Sequence, residues 1–531
     1  MKKRAWQWLT LAVIGTFCAC VNTPLPAGQS DDDSPLLTQD FQKKDKGPGG
    51  KGGPGGKGGP GGGKTKLVPK FDKDGDGRLN AEERKAAREW LATNGGGMGG
   101  KGGPGGKKGG KGGPGGGGGT GTPGPKVTPA EVKNYPDAHL YDTKVLRTVF
   151  IEFDNKKDWE AELADFYRTD VEVPATVIVD GKTYKDVGIH FRGNSSYFGV
   201  PAGLKHSLNL SFDYAEDKQR LYNYKTLNLL NCHDDPTFMH TVLFCNISRT
   251  YMPTPRANFV KVVINGESWG IYASQQQFNK EFLKENYKSG KGARWHIRGM
   301  PGGTGAGLEY QGDNTASYKN RYQIKSADDE KDWKALVLLC KTLNQTPLDK
   351  LEAALKPMLD IDEVLWFLAL DNWSLNDDGY WTRASDYNLF RDEKGVFHVI
   401  AYDVNETFGG GKGGKGGPGG KGGKDFPPDK KGGKKGGDFK DFKDFKDFPD
   451  FKGKDVKDFQ PGGKGGKGGG GYTLDPLSGL TDSRMPLRSK LLNVPSLKTK
   501  YLENMRIIAQ DWNDWKKLKP VIEQYHGLIA K

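Results

Sequence analysis

Glycine arrives in tracts. Stretches such as "KGPGGKGGPGGKGGPGGG" (46–63) and "GGGMGGKGGPGGKKGGKGGPGGGGG" (95–119) contain almost nothing apolar, so no burial offsets the entropy of ordering them. A collagen helix needs glycine at every third position, whereas these glycines come in pairs and triplets. The tracts are therefore expected to be flexible linkers. They divide the 531 residues into a linker over 21–66, an acidic motif over 67–94, a second linker over 95–126, a long segment over 127–408, an insertion over 409–471 and a tail over 472–531.

The formal charge of +14 comes largely from lysines in the tracts. Mobile lysines of this kind attract anionic polymers or lipid surfaces in a salt-dependent way. The Gly-Lys runs lack the interleaved aromatics that stack on bases, so no specific nucleic-acid site is expected. The insertion also carries "DFKDFKDFKDFPDF", whose period of three matches neither helix nor strand and collects no single apolar face. At the N-terminus, "MKKRAWQWLTLAVIGTFCACVN" places basic residues before a short apolar run and small residues, the pattern of an export signal over 1–20. "FCAC" resembles a lipobox with Cys20 as the lipidated residue, and the expected location is the cell envelope or the exterior. Cys232, Cys245 and Cys340 are expected to be buried thiols with at most one bridge.

The long segment reads as strands followed by helices. "ATVIVDGKTYKDVGIHFRGNSS" gives two strands about an Asp180-Gly181 turn, and "ANFVKVVINGESWGIYAS" a hairpin at Asn265-Gly266. "DDPTFMHTVLFCNISRTY" reads as a helix opened by Asp234 and Asp235. "EKDWKALVLLCKTLNQ" and "IDEVLWFLALDNWSLN" are further helices, and "SDYNLFRDEKGVFHVIAYDVNETF" a last hairpin. The tail has apolar residues at helical spacing and is too small to be stable alone. The fold class is α+β in two lobes, with a ligand cleft expected between them.

Three constellations carry chemistry. "DKDGDGRLNAEE" places Asp72, Asp74, Asp76, Arg78, Asn80 and Glu83 at the ligand positions of an EF-hand loop, Arg78 through its backbone carbonyl and Glu83 bidentate, with Gly77 at the sharp turn. Ca²⁺ is the expected ligand. "GIHFRGNSSYFGVPAGLKHSLNLSF" holds Arg192, a turn of small residues and Lys205, a set suited to phosphate. "SLNDDGYWTRASDYNLF" and "VIAYDVNETFG" supply Asp378 and Asp403, which a hairpin joins. Two such acids around a phosphate-bearing metal suit phosphoryl transfer, with Asp377, Asp386, Asn405 and Glu406 as neighbours that either share the site or only solvate it.

The ordered set "GIHFRGNSS", "KTLNLLNCHDDPTFMHTVLFCNISR", "FVKVVINGESWGIY", "LNDDGY", "DYNLF", "AYDVNETFG" and "LDPL" resembles the CotH family, atypical protein kinases first known from bacterial spore coats. The resemblance implies a kinase-like two-lobe fold, ATP with Mg²⁺ or Mn²⁺, and phosphorylation of Ser or Thr in secreted or surface proteins. It makes Asp403 the metal acid of a Trp-Asp-x-Asp motif, with Asn405 in the second acidic place. It makes Asp378 the catalytic acid of Asn-x-Asp-Gly, and Lys205 the lysine that meets phosphate, alongside Arg192. The sequence departs from the family at Tyr402, which replaces the motif's tryptophan, at Asn405, and at Thr241, where many relatives carry a glutamate. Those departures leave a second reading, a catalytically inactive surface or matrix protein that uses the same fold for adhesion.

Overall fold

The computed structural model describes residues 64–94, 121–299, 306–409 and 475–530. The expected signal over 1–20 with Cys20, nearly all of the linker and insertion tracts, and the Asp-Phe-Lys repeat lie outside these residues.

Seven strands close a barrel: β1 (Arg147–Glu152), β2 (Val173–Val179), β3 (Lys182–Phe191), β4 (Leu208–Ser211), β5 (Thr226–Leu230), β6 (Ala257–Ile264) and β7 (Glu267–Gln275), in the order β1-β2-β3-β4-β5-β7-β6. Every pairing is antiparallel except β1 with β6, which closes the barrel. On β2, Val173, Ala175, Val177 and Val179 point inward at period two. Both Asx-Gly turns have positive φ at each central residue, 50° and 76° at Asp180-Gly181 and 50° and 77° at Asn265-Gly266, the backbone that right-twisted hairpins require.

A second sheet has the order β11-β10-β8-β9, from β8 (Ala293–Ile297), β9 (Gln323–Ile324), β10 (Tyr387–Arg391) and β11 (Phe397–Ala401). Its outer positions Ala293, Trp295, Ile297, Tyr387, Leu389, Phe397, Val399 and Ala401 join the helices Glu330–Gln345 and Ile361–Trp373 in one apolar core. The tail closes over that core. Its helices Pro495–Trp512 and Trp515–Ile529 place Tyr501 in a stack on Trp381, centroids 5.8 Å apart, and the Tyr525 hydroxyl 2.8 Å from Asn246 Nδ2.

Two expectations need correction. The helix expected from Asp234 begins at His240. Asp234 and Phe238 have φ of 64° and 63°, which a right-handed helix excludes. Asp235 acts instead as the acceptor for the Thr237 and His240 amides, at 3.0 and 2.9 Å. The second correction concerns the acidic motif, set apart by the sequence as a unit between linkers. Leu67, Leu79, Ala87 and Leu91 are buried in the same apolar cluster as barrel residues Val149, Ile151 and Val177. Arg84 on the helix Ala81–Asn94 reaches Glu162 at 2.8 Å, and Arg88 reaches Asp158 and Asp165 at 2.6 and 2.7 Å.

Arg84 and Glu162 are 9% and 6% exposed, so removing one partner strands the other charge in an apolar wall. Arg84→Ala is expected to lower the stability of the barrel by about 3 kcal/mol, measured by denaturant unfolding of the full chain. An unchanged midpoint would show that the motif is not part of the barrel's cooperative unit.

Candidate active site

The end of β11 and the loop after the helix Ile361–Trp373 meet at one place. Asp371, near the end of that helix, is buried and folds the loop back on itself: its Oδ1 accepts from Asn376 Nδ2 at 2.8 Å and its Oδ2 from the Trp381 amide at 2.6 Å. A Cβ on Gly379 would lie 2.2 Å from Asp371 Oδ1 and 2.4 Å from Asn376 Nδ2, so the glycine of "NDDGY" is there because nothing larger fits. The segment after β11 is tied to this loop by the Phe408 amide, which donates to the Ser374 carbonyl at 2.7 Å. The Tyr402 amide donates to the Asp386 carbonyl at 3.2 Å, extending the β10–β11 ladder.

These ties bring Asp378, Asp386 and Asp403 together. Asp403 has left-handed backbone, φ 51°. Burial pushes its carboxyl up to about 6, with Arg192 opposing the shift and Asp378 adding to it. Asp386 is pushed up to about 9 by burial and by the charges of Asp403 and Asp378. Asp378 is raised by burial, and its closest opposing charge is Arg383, with which it forms an ion pair. Glu406, raised by burial and Asp378, lies 3.8 Å from the same arginine. Asp377 is also raised by burial.

The inner face of the second sheet carries the complementary charges. Alternation puts Arg294, His296 and Arg298 on one side of β8 and its extension, opposite the apolar core. His296 Nδ1 lies 2.9 Å from Asn388 Oδ1, and its ring meets Tyr402 edge-on at 4.3 Å. The Tyr402 hydroxyl accepts from Arg192 Nη2 at 3.0 Å, and Arg192 Nη1 is buried with no hydrogen-bond partner among the described residues. Lys325, just past β9, is lowered to about 7 by burial and by Arg298, Lys64 and Arg294. Among the described residues no carboxylate pairs with it. Burial, Lys325, Arg298 and Arg192 together push His296 well below its usual range.

Of the residues singled out by the sequence, Asp378, Asp403 and Arg192 meet here. Asn405 follows in the turn Val404–Glu406, with its carbonyl 2.9 Å from His240 Nδ1. Lys205 is held elsewhere: its ammonium donates to the Ile271 carbonyl at 2.6 Å and lies over the rings of Phe238 and Tyr272. No ion pair joins it to Asp378 or Asp403 among the described residues. Thr241 is buried in the helix His240–Ser248 and offers no charge to a lysine. Sequence reasoning places Asp386 only as a neighbour and misses Lys325, Arg298 and Lys64, which no motif marks.

The acidic loop is a separate feature. Asp72 accepts the amides of Gly75 and Gly77 at 2.7 and 2.9 Å, and Asp76 that of Arg78 at 2.8 Å. Glu83 closes the loop, accepting from the Lys73 and Asn80 amides at 2.7 and 2.9 Å, while Asn80 Nδ2 reaches Asp74 at 3.2 Å. One oxygen from each of Asp72, Asp74 and Asp76 lies within 4.8 Å of the others.

A family model described as "CotH kinase protein" matches residues 189–531, so the chain belongs to the CotH family. The match begins within β3, leaving the acidic motif, β1 and β2 outside it. The chain is similar to inner spore coat protein H of Bacillus subtilis, 24% identical over 259 residues, which covers 48% of this chain and 68% of that one. It is also similar to invasin CotH2 and invasin CotH3 of Rhizopus delemar, each 22% identical over 51% of this chain, and it spans less than half the length of either.

A carboxyl whose folded pKa stands above its unfolded value binds its proton more tightly when folded, so stability falls as pH rises from about 4 through the folded value. For Asp403 that window closes near about 6 and for Asp386 near about 9. In chelator, the melting temperature is expected to fall between about pH 5 and pH 8, and Asp386→Asn should remove the larger part of that fall. Equal slopes for parent and variant in thermal unfolding would contradict the acid cluster.

Proposed function

We propose that this chain is an exported CotH-type protein kinase that transfers the γ-phosphate of ATP to Ser or Thr of secreted or surface proteins, using Mg²⁺ or Mn²⁺. The observation that carries the reading is the placement of Asp378 and Asp403 against buried Asp386, in one acidic cluster beside Arg192, Arg298 and Lys325. Carboxylates that raise one another's pKa are unfavourable alone and a good oxygen donor set for a divalent cation. Asp403 and Asp386 would hold the metal, with Asn405 two residues beyond Asp403. Bound metal supplies charge neutralisation for the phosphoryl oxygens.

Arg192, Arg298 and Lys325 then hold phosphate oxygens as positioned cationic donors. Asp378 orients the acceptor hydroxyl and takes its proton as the new O–P bond forms and the bond to the ADP oxygen breaks. Arg383 restrains that carboxylate until an acceptor displaces it. The exterior location rests on the N-terminal sequence and on relatives named for a spore coat and as invasins. A lipid at Cys20 would anchor the chain to a membrane, and the lysine-rich tracts would gather anionic polymers.

The second reading, an inactive surface or adhesion protein, is favoured by Lys205, whose ammonium is spent on the Ile271 carbonyl while Thr241 stands where many relatives carry a glutamate. Phosphate transfer from labelled ATP to exported proteins separates the two. The kinase reading expects Asp378→Ala and Asp403→Ala each to lower transfer by at least about 100-fold. Absence of label with the parent chain, under Mg²⁺ and Mn²⁺ alike, would favour adhesion.

The loop of Asp72, Asp74, Asp76, Arg78, Asn80 and Glu83 is proposed to bind Ca²⁺. Because its flanking residues share the barrel core, Ca²⁺ should raise the melting temperature of the barrel as well as its own loop. Glu83→Gln is expected to weaken Ca²⁺ at least about tenfold by calorimetry. Equal affinity in parent and variant would remove the assignment.

A further inference from the structure

At the far ends of the two elements that deliver the acids, a second ligand set converges. Asp360 caps the helix Ile361–Trp373 and Glu363 lies in its first turn, while His398 is the second residue of β11. His398 Nδ1 lies 3.0 Å from Glu363 Oε2 and 3.8 Å from Asp360 Oδ2, and one ligand atom from each residue falls within 4.8 Å of the other two. Glu363 and His398 are 8% and 7% exposed, and Asp360 opens the cluster to solvent.

Each ligand is steadied through its other polar atom. Glu363 Oε1 accepts from the Tyr287 hydroxyl at 2.8 Å, and Asp360 Oδ1 accepts from the Glu363 amide at 3.0 Å. His398 Nε2 is buried, makes no hydrogen bond among the described residues, and faces Asp392 Oδ2 at 3.7 Å. The imidazole is flanked by Tyr287 at 4.5 Å and stacked on Phe390 at 5.7 Å, which fixes its plane. A carboxylate behind the distal histidine nitrogen and a donor behind the distal carboxylate oxygen are the outer contacts that orient metal ligands.

Charge points the same way. Asp360, Glu363 and Asp392 set three carboxylates around one imidazole, so a protonated His398 still leaves two negative charges. Among the described residues no lysine or arginine pairs with Asp360 or Glu363. A dication on a neutral imidazole halves that excess. Tetrahedral bonds of about 2.0–2.2 Å separate ligand atoms by roughly 3.3–3.6 Å, a spacing that the observed 3.0 and 3.8 Å bracket.

We propose that Asp360 Oδ2, Glu363 Oε2 and His398 Nδ1 hold a divalent metal ion of the Zn²⁺ type, with the remaining position open to water on the Asp360 side. One imidazole with two carboxylates suits such an ion better than Ca²⁺ or Mg²⁺, which take oxygen ligands. The ion would pin the start of the helix that leads into the Asp378 loop to the start of the strand that leads into Asp403. Its place at the far ends of these elements makes it independent of whether the cleft transfers phosphate.

The test is a Zn²⁺ titration of the full chain, stripped with chelator and held in excess Mg²⁺ and Ca²⁺ to fill oxygen-only sites, with melting temperature and bound metal as readouts. The parent should take up one more Zn²⁺ than His398→Gln and gain melting temperature on doing so. Asp360→Asn keeps a good helix cap, so its metal-free melting should match the parent while its Zn²⁺ affinity falls at least about tenfold. Equal Zn²⁺ affinity in parent and Asp360→Asn, or no Zn²⁺ uptake beyond that of His398→Gln, would overturn the site and leave a hydrogen-bonded Glu363–His398 pair.

Discussion

Asp378 and Asp403 crowd against buried Asp386, and the surrounding structure is arranged to keep them there. Each disfavours ionisation of the others, which is why Asp386 stands near about 9 and Asp403 near about 6. Holding them together requires a strained exit from β11 at Asp403, a loop folded around buried Asp371, and a ladder continued by Tyr402 onto Asp386. Apolar packing behind the second sheet and the closing tail helices stabilise that placement. An arrangement with so much like charge has little reason to persist unless a cation or a polar ligand belongs in it.

The barrel contributes from the other side. Arg192 leaves β3 and donates to the Tyr402 hydroxyl. This contact links the barrel directly to the segment that follows β11. Lys205, on the next stretch of chain, is instead absorbed into the barrel's end by a backbone carbonyl and two rings. The cationic wall is thus built mostly from the second sheet and its flanks, through Arg298 and Lys325.

Local signals were readable where local chemistry decides the backbone. The Asp180-Gly181 and Asn265-Gly266 turns, and the helix Glu330–Gln345, follow from residue type and periodicity alone. Asp378 and Asp403 were legible because each ends an apolar run beside a turn. Asp386 was not, since its importance comes from a neighbouring strand and from Asp403, both set by tertiary contact. The same holds for Lys325 and for His398, whose nearest carboxylate in space, Glu363, lies 35 residues away in the chain. The start at His240 was misread because Asp235 satisfies amides in a turn as readily as at a helix start. The acidic motif showed its loop ligands in the sequence, but its seat in the barrel core depends on Arg84 and Arg88 finding carboxylates that no spacing announces.

The most direct test of the central claim is a calorimetric titration of the full chain with ATP, with and without Mg²⁺, alongside Asp386→Asn. The acid cluster and its cationic wall predict binding that needs Mg²⁺ and is lost or much weakened in the variant. No ATP binding, or binding indifferent to both Mg²⁺ and Asp386, would contradict the account.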